Sequence, residues 1–260
     1  MNNSQILQIA LNQSATDSSC RAEDFLSGAP KTVISEKNAD ARKYLKLPFF
    51  CDITSYGSNA VASVSPELYN IVTDYINSYP PEHCFETPNL HVLMEQLRPF
   101  GLDICFMAQY FLPDMNAVKI CRCGFETKII AKADFQELYL PQWSNALCKE
   151  RKELDKIAVG AYDNGSLIGL AGASADCKDM WQIGIDVLPQ YRKQGIASAL
   201  TSILANEILK LDKVPFYCCA WSNIASARNA VKSGFRPAWV QMTAQKIEFI
   251  DNMNDKSRRE

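Results

Sequence analysis

The sequence predicts a mixed α/β protein of 260 residues, with a smaller N-terminal α/β domain and a C-terminal domain in which strands and helices alternate. Two observations in the second half predict this fold class. Apolar segments at 157–162 and 167–173 flank Asp163-Asn-Gly165, which is a strong hairpin signal. Further along, a β-branched segment ending at Val187 leads through a short basic loop into a helical pattern over 196–211.

The first half contains helix starts and one long apolar segment. Two Pro-containing starts, each followed by apolar residues at helical spacing, are Ser65-Pro66 and Thr87-Pro88. Apolar spacing also predicts a helix over 38–47, which Pro48 ends. The apolar and aromatic residues 102–111 predict a strand.

The second half contains the remaining elements. We expect a short strand over 128–131 and a helix that Asp134 caps. The helix over 196–211 carries an apolar face that should pack on a sheet. Residues 216–221 read as another strand, and closing strands are expected from 236 to 250.

Length and charge limit the possible classes. The chain is long enough for two small domains, and we place the boundary so that they cover residues 1–120 and 121–260. The net charge of −2 and the mixed charges predict no affinity for nucleic acid, and no apolar run predicts membrane insertion. The ten cysteines, without a recognisable export signal, are expected to be reduced thiols in the cytoplasm. Cysteine and histidine spacing matches no common zinc pattern, so no metal is expected.

The loop from Arg192 to Ala197 is suited to a pyrophosphate. Backbone N–H groups at a helix N-terminus point at one spot, and the helix dipole adds partial positive charge there. Gly195 lets a phosphate approach the backbone, and Arg192 and Lys193 add full charges. The loop matches neither GxxxxGK[ST] nor GxGxxG, so a nucleotide or dinucleotide fold is disfavoured.

Written as Arg192-x-x-Gly195-x-Ala197, this loop resembles the acetyl-CoA loop of the GNAT superfamily of N-acetyltransferases, [Gln/Arg]-x-x-Gly-x-[Gly/Ala]. The strand before it, Ser222-Asn223 after the next strand, and Gly234-Phe235 after one short helix are also similar to that family. The resemblance covers about residues 125–250. It implies a mixed, mostly antiparallel sheet flanked by helices, and transfer of an acetyl group from acetyl-CoA to an amine.

The resemblance also implies roles for particular residues. The N–H of Ile185 would face the thioester oxygen as an oxyanion donor, and the backbone of Val187 would pair with pantetheine. The side chain of Asn223 would bond pantetheine, cap the next helix, or do both. Arg228 would approach the 3′-phosphate or belong to a solvated helix face. The residues implied to hold the pyrophosphate are Arg192, Lys193, Gln194, Gly195, Ile196, Ala197 and Ser198.

The general acid and base are not evident. Many members of the family carry a tyrosine four residues before the Gly-Phe pair, where this chain has Ala230. Ser222 is a candidate acid, and Asp179 is a candidate base that also fits a turn. Strand alternation points Asp186 away from the side of Ile185. Other candidate acids, which packing alone could explain, are Tyr191, Tyr217, Cys218 and Cys219.

The leading hypothesis is an N-acetyltransferase that moves an acetyl group from acetyl-CoA to a small amine in a ternary complex. Two alternatives stay open: a non-catalytic acyl-CoA-binding regulatory module, and an acetyltransferase acting on proteins. We expect a monomer or homodimer, and an N-terminal domain that shapes the acceptor pocket or covers the cleft.

Overall fold

The computed structural model describes residues 1–257, which form two compact units. Unit 1 contains residues 1–10 and 110–237, and unit 2 contains residues 11–109 and the described residues from Ala238 onward. Each unit therefore takes two stretches of chain, whereas the sequence suggested two continuous ranges. The functional roles expected for those ranges stay predictions.

Unit 2 is a sheet with helices. Its strands are β1 (Lys31–Ile34), β2 (Cys51–Ser55), β3 (Val61–Val64), β4 (Leu102–Pro113) and β10 (Phe235–Lys246). Their order is β1-β3-β2-β10-β4, with β1 parallel to β3 and β2 antiparallel to both β3 and β10. The helices are α1 (Asn3–Ser18), α2 (Tyr69–Ser78), α3 (Thr87–Leu97) and α6 (Ile247–Ser257). The unit boundaries fall within α1, β4 and β10.

Several expectations for the first half are confirmed. Pro66 opens a 3-10 turn that leads into α2, α3 begins at Thr87, and the strand expected over 102–111 is β4. Their apolar faces form a buried core with the sheet, in which Ile53 and Met242 pack with Val72 and Leu93.

Two expectations in unit 2 are wrong. Residues 38–47 form turns and irregular backbone, because Arg42 is drawn inward to Asp17. The backbone N–H of Arg42 donates to Asp17 Oδ1 at 2.9 Å and its guanidinium pairs with the same carboxylate, so a long-range ion pair overrides the local helical spacing. The closing strand stops at Lys246, and Ile247 begins helix α6 where more strand was expected.

Unit 1 contains a second set of strands, which are β5 (Glu126–Ala131), β6 (Asp155–Asp163), β7 (Ser166–Ser174), β8 (Met180–Val187) and β9 (Val214–Ala220). Their order, beginning at β4, is β4-β9-β8-β7-β6-β5. The neighbours from β5 to β8 are antiparallel, and β8 runs parallel to β9. The helices are α4 (Ile196–Lys210) and α5 (Ile224–Lys232). This arrangement confirms the mixed, mostly antiparallel sheet.

The hairpin between β6 and β7 has the expected turn. Asn164 and Gly165 both have positive φ, 47° and 82°, as a two-residue type I′ turn requires. The helix expected after Asp134 is wrong, because this segment forms short 3-10 turns at Lys132–Asp134 and Gln136–Leu138. The later part of the same connection lies close against the sheet, where a Cβ on Gly172 would lie 2.0 Å from the Ala146 carbonyl oxygen.

Helix α4 packs its apolar face on β7 and β8, as its spacing predicted. Ile196 and Leu200 lie so close to Gly169 that a Cβ there would meet their methyl groups at 2.9 and 3.3 Å. Both side chains are fully buried, and burying each stabilises the fold by about 1.5–3 kcal/mol. This packing fixes the helix N-terminus at the end of β8.

Candidate active site

Strands β8 and β9 separate before either strand ends. Their parallel register extends only to the pair Ile183 and Tyr217. On its other edge β8 remains paired with β7 as far as Val187, opposite Gly169. Within residues 1–257, the last four residues of β8 thus have a strand partner on one edge and none from β9.

The edge of β8 that faces away from β7 presents backbone groups of Ile185 and Val187. The N–H of Leu188 donates to the carbonyl of Ile168 at 3.0 Å, so Leu188 and Ile168 form a hydrogen-bonded pair of the β7–β8 ladder. Bonded and non-bonded pairs alternate along an antiparallel ladder. The N–H groups of Ile185 and Val187 therefore point away from β7, toward the side on which β9 has separated.

The basic loop after β8 has the backbone of an anion cradle. Lys193 and Gly195 have positive φ, 64° and 80°, which turns successive N–H groups toward one concave surface. A Cβ on Gly195 would meet only the Arg122 carbonyl oxygen, at 3.8 Å, so protein atoms leave this surface open. The N–H groups of the first turn of α4 join it.

This loop and the separated strands border a cavity of about 600 Å³, a size typical of small-molecule sites. The cavity brings together most of the residues that the sequence implied. Those lining it are Ile185, Val187, Arg192, Lys193, Gly195, Ile196, Ala197, Ser198, Asn223 and Arg228. Gln194, Asp179 and Ser222 are not among its lining residues.

The charge of the cavity is strongly positive on the helix side. Among residues 1–257, four cationic residues line it, and a single acidic residue does so, Asp186. Arg192 also donates from Nε to the Val187 carbonyl at 3.1 Å, which holds its guanidinium at the end of β8. The remaining cations are Lys193, Arg228 and Lys232. This concentration of charge suits a polyanion such as a diphosphate.

Asn223 caps helix α5. Its side-chain oxygen accepts a hydrogen bond from the Ser226 N–H at 3.1 Å, which is the capping role weighed from the sequence. A pantetheine contact from the same amide stays a prediction.

The two weak catalytic candidates lie elsewhere. Asp179 accepts a hydrogen bond from Lys213 at 3.0 Å and stands six residues before Ile185 along β8, which corresponds to about 20 Å. The carbonyl of Ser222 accepts the Ile224 N–H at 2.9 Å in the turn after β9. The structure does not bring either residue to the cavity.

Tyr217 is the side chain that sequence reasoning undervalued. It is only 2% exposed, it lines the cavity, and its hydroxyl lies 2.7 Å from the Ser226 hydroxyl on α5. Burial raises the pKa of this phenol above its ordinary value, so it stays protonated at neutral pH. Tyr217 lies opposite Ile183 in the last residue pair of β8 and β9, and the sequence does not reveal this position because it depends on the strand register.

Asp186 was also passed over, although its carboxylate is held firmly. Its Oδ2 accepts the N–H groups of Asn145 and Ala146 at 2.9 and 3.0 Å, and its Oδ1 accepts Asn145 Nδ2 at 2.7 Å. Gly172 and Gly184 make this approach possible, because a Cβ on either would lie about 2 Å from a backbone carbonyl oxygen of this segment.

In residues 1–257, no group of three or more His, Cys, Asp or Glu side chains could hold a metal ion.

A family model described as GNAT acetyltransferase matches residues 108–238. The chain therefore belongs to the GNAT acetyltransferase family, as the loop and its neighbouring strands predicted. The matched region contains the separated strands, the loop and both helices of the cavity. No curated protein matches the chain.

Several solved structures described as acetyltransferases are similar to part of this chain. A GCN5-related N-acetyltransferase-like protein from Streptococcus suis 89/1591 has 18% identity and a TM-score of 0.44, covering 59% of this chain and 66% of its own. A GCN5-related N-acetyltransferase from Kribbella flavida has 15% identity and a TM-score of 0.47, and the match covers 60% of this chain and 63% of that protein. A GCN5-related N-acetyltransferase from Sphaerobacter thermophilus has 11% identity and a TM-score of 0.48, and the match covers 73% of this chain and 72% of that protein. The chain thus spans slightly less than two thirds of the first two proteins.

None of the helices within residues 1–257 has the length and apolar content needed to cross a bilayer.

Proposed function

We propose that this protein transfers an acetyl group from acetyl-CoA to the amine of a small molecule, by direct attack in a ternary complex. The observation that carries this proposal is the separation of β8 and β9 beside a cationic helix N-terminus, with one cavity bordering both. A cosubstrate with a diphosphate at one end and a thioester at the other fits this arrangement of charge and open backbone.

The pyrophosphate would lie in the cradle between β8 and α4. The N–H groups around Gly195 and the charges of Arg192 and Lys193 would bind it. Ser198 also lines the cavity and would add a hydroxyl. Charge-assisted bonds of this kind contribute about 1.5–3 kcal/mol each. Gln194 belongs to the same loop, and we propose that its backbone N–H binds the pyrophosphate while its side chain does not.

The pantetheine arm would extend along the edge of β8 that β9 leaves open. Pairing with the backbone of Val187 would add it to the sheet in the manner of a strand. The N–H of Ile185 would then face the thioester oxygen, which gains negative charge as the amine attacks. Removing such an oxyanion donor typically costs about 3 kcal/mol of transition-state stabilisation.

In the reaction the amine nitrogen bonds to the acetyl carbon, the carbon–sulfur bond breaks, the amine loses a proton and the thiolate gains one. Ala230 cannot supply that second proton, and it is fully buried. Tyr217 is a better candidate acid than Ser222, because its protonated phenol lies in the cavity at the point of strand separation. Asp179 is a poor candidate base, since it is paired with Lys213 away from the thioester position.

A second candidate is a non-catalytic acyl-CoA-binding regulatory module, which the apolar residue at position 230 favours. Calorimetric titration with acetyl-CoA, followed by assay of thiol release with a panel of amines, separates the two. Binding with amine-dependent release supports the enzyme. Binding without release from any amine supports the regulatory module, and no binding contradicts both. Activity on lysine-containing peptides but on no small amine would favour the protein acetyltransferase.

The cytoplasmic location and the monomeric or homodimeric state stay predictions from the sequence. Cell fractionation and sedimentation test them.

A further inference from the structure

The cavity is divided by charge in a way that CoA alone does not explain. Its cationic residues come from the loop after β8 and from α5, where a diphosphate would lie. Among the described residues, the only acidic one that lines it is Asp186, next in sequence to Ile185, the proposed oxyanion donor. A carboxylate would repel the phosphates, so Asp186 does not serve to bind the diphosphate.

The side chain of Asp186 lies on the opposite face of β8 from that of Ile185. Side chains of adjacent strand residues point to opposite faces, and Ile185 and Val187 pack in the cluster that contains the buried face of α4. The carboxylate of Asp186 instead contacts Asn145 and Ala146, on the other face. Because Ile185 and Asp186 both line one cavity, that cavity borders both faces of β8 where β9 has separated.

The carboxylate is oriented and keeps an accepting position. Two backbone N–H groups bind Oδ2, and the Asn145 amide binds Oδ1. A carboxylate has about four lone-pair sites, so roughly one remains for a further donor on Oδ1. Asp186 is partly exposed, so its carboxylate can receive an N–H from a molecule in the cavity.

We propose that Asp186 binds the ammonium group of the acetyl acceptor, so that the acceptor is a cationic primary amine that enters from the Asn145 face of β8. This inference rests on the proposed function and specifies its substrate class. An ammonium held at Asp186 lies beside the thioester position near Ile185, on the face opposite the side chains that pack with α4. The CoA phosphates and the amine then occupy regions of opposite charge.

The first measurement compares two probes of similar shape. Benzylamine is an ammonium at neutral pH, whereas O-benzylhydroxylamine is uncharged. Each is titrated by calorimetry into the full-length protein, with and without saturating CoA. We expect the wild type to bind benzylamine at least about 10-fold more tightly, since a hydrogen bond to a charged group contributes more than a neutral one.

The second measurement uses Asp186→Asn. The asparagine side chain is nearly isosteric and can accept the two backbone N–H groups, while Asn145 can reverse its amide to complete the third bond. We expect affinity for benzylamine to fall roughly 10- to 100-fold and affinity for O-benzylhydroxylamine to change by less than about threefold. Acetyl-CoA affinity should not change.

Asp155→Asn is the matched control. Asp155 also anchors a connection, accepting the Cys148 N–H and the Tyr139 hydroxyl at 3.1 Å each, and it does not line the cavity. Neutralising it should leave the discrimination between the probes at the wild-type value. Asn145→Ala, which keeps the Asp186 charge, should also preserve the preference for the ammonium.

If Asp186→Asn weakens the binding of both probes equally, Asp186 only anchors the Asn145 segment, and the inference is overturned. A wild type without preference for benzylamine would overturn it even if the variant does not fold. Failure to bind CoA refutes the proposed function instead, and the titrations without CoA still decide the role of Asp186.

Discussion

The cradle at Gly195 can be tested by adding one methyl group. Gly195 has φ of 80°, and a Cβ built there meets only the Arg122 carbonyl oxygen, at 3.8 Å. Gly195→Ala therefore fits sterically but forces a non-glycine residue into the left-handed region, which costs about 1–2 kcal/mol. The methyl group would also project into the space through which a phosphate approaches the backbone.

The expected loss of ligand affinity is larger than the loss of stability. If the methyl group displaces the diphosphate from two charge-assisted N–H bonds, the loss is about 3 kcal/mol at the lower limit for such bonds, or roughly 150-fold in Kd. Calorimetric titration with acetyl-CoA measures this loss, and urea unfolding measures the strain.

Gly165→Ala is the matched control, because it separates strain from ligand contact. Gly165 has nearly the same φ, 82°, lies in the β6–β7 hairpin turn, and has no atom within 4 Å of a built Cβ. Both variants should lose similar stability, while only Gly195→Ala loses acetyl-CoA binding. If the two variants bind acetyl-CoA within about threefold of each other, the placement of the diphosphate at this loop is wrong.

Three further outcomes are expected. Tyr217→Phe should retain acetyl-CoA binding and lower kcat about 100-fold at saturating amine, and an unchanged kcat would remove its assignment as the acid. Burial raises the pKa of the Asp52 carboxyl from 3.8 to about 6, so the folded state binds this proton more tightly and stability falls as pH rises from about 4 to 6. Asp52→Asn should abolish this pH dependence, so the stability of the variant relative to wild type in urea titrations should rise by about 2 kcal/mol between pH 4 and 8; a pH-independent difference would contradict this. Gly184→Ala should destabilise the protein by more than about 3 kcal/mol, because its Cβ would lie 1.8 Å from the Asn145 carbonyl oxygen, and a wild-type melting temperature would refute that contact.

Local elements were predictable where neighbouring residues alone decide the conformation. The Asn164-Gly165 turn, the Pro66 helix start and helix α4 depend on positive φ, fixed φ and helical spacing within one short segment. The helix expected over 38–47 failed because Arg42 forms a buried ion pair with Asp17, and partners far apart in the sequence leave no local signal.

The sequence by itself determined the family and the loop that we propose to hold a diphosphate, because this loop is built from consecutive residues around Gly195 whose backbone conformation and charge are local properties. Only the tertiary structure decided which other residues line the cavity beside it. Tyr217 reaches the cavity through the register of β9 with β8, and the Asp186 carboxylate is held there by a connection about 40 residues earlier. Strand register and loop docking depend on contacts between distant segments, and a single sequence does not encode such contacts as a readable pattern.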